Sequence, residues 1–112
     1  MIQATIRRSR DKGILSFEMT GHANFAEHGQ DLVCAGVTAV VFGAVNAVIV
    51  LAGFEPLLDI GEDGGYFYFE FPDSLDPEAR QKAQLLIEGM IVSLDTIERD
   101  YKDNLRVTTN II

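Results

Sequence analysis

The sequence has one cysteine, three prolines and, between Gly13 and Ala79, no lysine or arginine. Each scarcity excludes something. A single cysteine excludes an internal disulfide framework and fits a reducing compartment. No proline-rich, serine-rich or repeated segment occurs, which excludes disordered, collagen-like and solenoid classes. The missing cations leave Glu18, Glu27, Asp31, Glu55, Asp59, Glu62, Asp63, Glu70, Asp73, Asp76 and Glu78 uncompensated, and the net charge is −8. An acidic middle disfavours nucleic acid, whose phosphates need a basic patch. It favours a cationic partner by long-range steering, with solubility as the plainer role of the same charges. The opening residues Met1-Ile2-Gln3-Ala4 lack a charged stretch before an apolar run, so no signal peptide is expected.

What is present suits one domain over residues 1–112. Apolar residues are 47% of the chain and charged residues 23%, enough to build a core without staples. Leu32 to Phe54 is a run of 23 residues without a formal charge, long enough to cross a bilayer. Its flanks, Asp31 and Glu55, supply no cation to set an orientation. The expectation is a central buried helix and no membrane partner.

Along the chain, Ile2 to Arg7 alternates with period two, and Leu15, Phe17 and Met19 alternate with Ser16, Glu18 and Thr20. Two strands and a hairpin follow from that period. Gly21 to Gln30 reads as a loop with Phe25 as its one strong apolar anchor, and so as a segment that orders on substrate. Asp31 is placed to cap the helix that follows. Ala35, Ala39, Gly43 and Ala47, at intervals of four, form a small-residue stripe that another helix can approach closely.

Pro56 stops that helix, Leu57 to Ile60 is a short strand, and Glu62-Asp63-Gly64-Gly65 is a hairpin signal before the aromatic strand from Tyr66. Asp76-Pro77-Glu78 opens a second helix, whose apolar face is Ala83, Leu86, Met90, Leu94, Ile97 and Tyr101. Glu78–Lys82, Asp95–Arg99 and Glu98–Lys102 are spaced as ion pairs on its wet side. Leu105 to Ile111 alternates as a last strand. The order is ββαββαβ, an α+β domain with two helices on one face of a mostly antiparallel sheet.

Chemistry concentrates in His22, His28, Asp31 and Cys34, within thirteen residues. A helix start favours a thiolate, an imidazole can hold and return its proton, and a carboxylate can orient that imidazole. Backbone N–H groups at the helix start are then available to an oxyanion. Blander readings stand beside these: an inert small hydrophobe at Cys34, solvated histidines, and Asp31 as a cap only. The same four residues are also a conceivable zinc ligand set, although their spacing matches no common structural motif.

At these residues the sequence resembles a known family. Gly21-His22-Ala23, then Ala26, Gly29, Asp31 and Val33-Cys34-Ala35-Gly36-Val37-Thr38, look like the signature of the bacterial ribosomal-processing cysteine proteases, the Prp family. The resemblance spans most of the chain. It implies a cytoplasmic, homodimeric endopeptidase that needs no cofactor or metal. Its substrate would be a basic ribosomal protein, large-subunit protein twenty-seven, from which it removes an N-terminal extension. By position, Cys34 would be the nucleophile and His22 the base, with Asp31 orienting or capping and Gly21, Ala23, Gly29 and Thr38 as substrate-loop candidates. Two departures are visible: Thr38 stands where the family commonly has serine, and Gly36 where alanine is frequent. The competing classes are a non-catalytic dimeric module on the ribosome and a metal-binding domain.

Overall fold

Period-two alternation shapes the first hairpin. Strands β1 (Ile2–Arg8) and β2 (Ile14–Thr20) pair antiparallel, Ala4 against Met19 and Ile6 against Phe17, with a bulge between Arg7 and Arg8. The computed structural model describes residues 1–27, 30–62 and 64–112. His28, Gly29 and Asp63, singled out from the sequence, lie outside the described residues. Helix α1 (Leu32–Ala47) follows β2, then strands β3 (Leu57–Ile60) and β4 (Tyr66–Glu70), helix α2 (Pro77–Asp100) and strand β5 (Leu105–Ile111). This is the expected ββαββαβ order.

The sheet order is β3-β4-β2-β1-β5, antiparallel throughout except for β1 with β5. It follows that β2 and β3 share a direction, as do β4 and β5, so each helix is a crossover between parallel strands. Both helices cover the face that carries Ile2, Ala4, Ile6, Phe17, Met19, Phe67 and Phe69, all buried. Phe17 stacks on Phe69 with ring centroids 4.9 Å apart. The opposite face carries Arg7, Glu18, Tyr68 and Glu70 and stays partly or fully in water.

Helix α1 departs from the expectation of a central, buried helix. Val33, Val37, Val41 and Val45 are buried, whereas Leu32 is 69% exposed and Val50 75% exposed. A helix that is apolar all round gives hydropathy no side to choose. The valine row at intervals of four supplies the buried side. The small-residue stripe lies elsewhere, with Ala35, Ala39 and Gly43 exposed. The approach of α2 is seen instead near Gly36, where an added Cβ would sit 4.0 Å from Ile97 Cδ1, an ordinary contact. Crowding therefore does not demand glycine there. Past Ala47 the helix widens into a π turn, Val48–Ala52, and stops at Gly53, whose φ of 79° is left-handed.

Helix α2 starts as expected, with Asp76 accepting the Ala79 N–H and Pro77 in the first turn. Of the three expected ion pairs, Glu78–Lys82 forms at 3.3 Å. Arg99 meets Asp100 rather than Asp95. Glu98 turns away from Lys102 and accepts the Val107 N–H at 2.7 Å, clipping the helix to β5. Arg8 donates twice to Glu88 at 2.7 Å and so ties β1 to the middle of α2.

Candidate active site

The loop after β2 leaves the sheet where β1, β4 and β5 begin. Its first residue, Gly21, donates its N–H to Gly65 O at 2.9 Å and has a φ of +87°. A Cβ there would stand 2.3 Å from the carbonyl oxygen of Met1. Glycine is required on both counts. His22 is exposed, and among the described residues its imidazole takes no hydrogen-bond or ion-pair partner. Ala23 is buried and held from both sides: its N–H points to Cys34 Sγ at 3.4 Å, and its carbonyl accepts Asn104 Nδ2 at 3.0 Å. Phe25 packs edge-on against Tyr101.

Asp31 is buried and caps α1. Its Oδ1 accepts the Cys34 N–H at 2.9 Å, and its Oδ2 accepts those of Phe25 at 2.8 Å and Ala26 at 3.2 Å. Both oxygens serve the backbone, joining the loop to the helix start, and neither reaches His22. Burial pushes the Asp31 carboxyl up, but N–H donation from Cys34, Ala26, Phe25 and Val33 outweighs it and leaves the carboxyl below its ordinary value. The sign follows directly. A carboxylate depressed in the fold stabilises fully above its unfolded pKa, about 3.9, and that contribution is lost as pH falls through the lower folded value. Asp31→Ala is expected to cost on the order of 2 kcal/mol by thermal or urea unfolding at neutral pH, because a cap is lost and two loop N–H groups are orphaned. The gap between variant and parent should close in strong acid.

Two of the helix-start N–H groups expected to serve an oxyanion are engaged, Cys34 on Asp31 Oδ1 and Ala35 on the Asp31 carbonyl at 3.0 Å. Among the described residues, which leave out His28 of the conceivable zinc set, no three of histidine, cysteine, aspartate and glutamate converge. The loop expected to have Phe25 as its one strong apolar anchor is also pinned through residue 26 by hydrogen bonds.

Cys34, half-buried, opens on a groove of about 890 Å³, whose walls also include Gly21, His22, Asp31 and Thr38. The groove continues between α1 and the sheet over Met19, Phe42, Ile60 and Phe67, an apolar floor. The structure thus brings Cys34 and His22 to one cleft. Sequence reasoning missed Asn104 and Gly65, which position the loop, and Phe42, Ile60 and Phe67 as cleft walls. No local spacing could have found them, since each is brought in by sheet pairing or helix packing.

A thiol at a helix start and an exposed imidazole lining one largely apolar groove of a small α+β domain are the outline of a cysteine protease. The comparisons agree. The family model "Cysteine protease Prp" matches residues 1–106, and the chain belongs to that family. It is 97% identical, over the full length of both chains, to the ribosomal processing cysteine protease Prp of Bacillus subtilis strain 168. Two crystal structures of the ribosomal processing protease Prp from Staphylococcus aureus superimpose on it. One, with a covalently linked product peptide, has a TM-score of 0.89 at 38% identity, and the other, with a substrate peptide, 0.84 at 36%. Each covers 98% of this chain and 100% of that one. The chain is a cysteine protease.

Proposed function

We propose that Cys34 is the nucleophile and His22 the general acid and base of an endopeptidase that trims the N-terminal extension of large-subunit ribosomal protein twenty-seven. The observation that carries this reading is the shared cleft: Cys34 and the His22 imidazole, which has no partner among the described residues, line one apolar groove. Cys34 thiolate attacks the scissile carbonyl carbon, forming the S–C bond. The C–N bond then breaks as His22 gives its proton to the departing amine. Water, losing a proton to His22, attacks the thioester and releases the acid and the thiolate. No cofactor enters. Asp31 acts as the cap, Gly21 and Thr38 as groove wall around the substrate, and Ala23 as a buried support of the loop. The peptides held by the Staphylococcus aureus relative support the assignment.

The decisive experiment is incubation with the organism's full-length ribosomal protein, followed by intact-mass measurement. Loss of a short N-terminal fragment is expected, and an unchanged mass in the presence of folded protein would refute the substrate. Charge gives a second expectation. The groove lies in the stretch that carries eleven acids and no lysine or arginine. Steering weakens as the Debye length shrinks from about 10 Å at 0.1 M salt to about 3 Å at 1 M. Below saturation, kcat/KM on the intact basic substrate should fall with salt, while a short neutral peptide bearing the same cleavage sequence stays nearly level. Equal dependence for both would assign the acids to solubility alone.

We infer further that the protein is a cytoplasmic homodimer. Leu32–Ala52 has a mean hydropathy of 2.3 and passes for a membrane span by length and composition, yet only 28% of its most apolar stretch is buried. A second copy seated on this face removes it from water without a bilayer. Val50→Glu, outside the groove, places an unpaired charge in each half of that contact. It is expected to raise the dimer dissociation constant by about a hundredfold or more, read by sedimentation equilibrium. An unchanged association state would move the interface elsewhere.

A further inference from the structure

Asn104 precedes β5, far along the chain from every residue of the proposed catalytic pair. Its backbone is fully engaged: its N–H donates to Tyr101 O and its carbonyl accepts the Ile2 N–H, both at 2.9 Å. Its φ is not in the left-handed region, so the turn itself does not call for asparagine. The side chain does something else. Nδ2 crosses to Ala23 O at 3.0 Å, the one side-chain bond from this turn to the histidine loop among the described residues.

Ala23 presents its other backbone group to sulfur. The Ala23 N–H lies 3.4 Å from Cys34 Sγ, and the Cys34 and Ala35 N–H groups are spent on Asp31. An N–H donor on sulfur fixes where the nucleophile points, and the bond is stronger on a thiolate than on a neutral thiol. The bond depends on where the Ala23 backbone is held. Only two rotatable bonds separate its carbonyl from its N–H, so a clamp on the carbonyl orients the donor.

We propose that Asn104 is a positioning residue for the protease reaction: through Ala23 O it holds the Ala23 N–H on Cys34 Sγ and keeps His22 at the mouth of the groove. This rests on Cys34 being the nucleophile. Asp31, His22 and Tyr66 are the titratable side chains that line the groove with Cys34. All three are left in place by substitution at Asn104, so a change in thiol behaviour reports on the clamp.

The experiment compares Asn104→Ala, Asn104→Leu and Asn104→Gln with the parent. Asn104→Leu keeps the shape without donor or charge, and Asn104→Gln keeps an amide. The measurements are the rate of Cys34 alkylation by iodoacetamide at neutral pH, kcat and KM on the peptide substrate, and the thermal midpoint. The Ala and Leu variants should alkylate about three- to tenfold more slowly, with partial recovery in Gln. kcat should fall in parallel, with KM changed by less than about twofold. Parental alkylation in folded Ala and Leu variants would overturn the proposal, as would a folded Gln variant no faster than Ala. If those variants do not fold, the parent protein decides: the Ala23 amide proton resonance should move when Cys34 is alkylated, and a stationary resonance would refute the clamp. Alkylation needs no peptide cleavage, so failure of the nucleophile assignment, seen with Cys34→Ala, remains a separate result.

Discussion

Cys34→Ala is expected to abolish cleavage, by at least about 10³-fold, while leaving the fold intact. Removal of a covalent nucleophile commonly costs several orders of magnitude in kcat, and the chain has no second thiol to form the acyl intermediate. The fold should not notice. Alanine suits the first turn of α1, Asp31 still caps the backbone N–H of residue 34, and only one long contact to sulfur is lost. Cys34→Ser sharpens the result, because it keeps an acceptor for the Ala23 N–H but not the thiolate. Thermal midpoints close to the parent, with no product by intact mass, are the expected pair of observations. Parental turnover in either variant would remove the thiol mechanism.

His22→Ala is expected to slow cleavage by 10² or more, the range for loss of a general acid–base group. The substitution is clean, because His22 is exposed and, among the described residues, supports nothing else. Stability should change by no more than about 0.5 kcal/mol. His28→Ala, six residues on, should matter far less. The reverse order of effects in a single-turnover assay would transfer the base to His28.

The strands were legible because a half-buried sheet imposes a two-residue period, and Ile2, Ala4, Ile6, Phe17 and Met19 obey it. Helix α2 was legible for the matching reason at a longer period. Helix α1 was legible as a helix but not in its placement. With no polar side, its hydropathy cannot separate the row under Val37 and Val41 from the exposed row through Ala39 and Gly43. The candidate site divides the same way. Gly21, His22, Asp31 and Cys34 are local, and their residue types state their chemistry. The partners that give them geometry are not local: Gly65 lies across a strand pair, Met1 on the other side of the sheet end, and Asn104 beyond α2. Glu98 shows a further limit. Its spacing pairs it with Lys102, yet the Val107 N–H at the start of β5 is a better donor to its carboxylate than a solvated ammonium.

The parallel pairing of β1 with β5 has a consequence in time. Ala23 leaves the ribosome early, but the asparagine that grips it is translated 81 residues later. At bacterial-range elongation of about 5–20 residues per second, that delay is about 4–16 s. Through it, β1 lacks its parallel neighbour, and the Ile2 N–H lacks the Asn104 carbonyl. Long-range closures of this kind come late in folding, because chain entropy must be lost before the contacts repay it. A nascent chain therefore carries its thiol and imidazole for seconds before the Asn104 side chain can hold the loop between them.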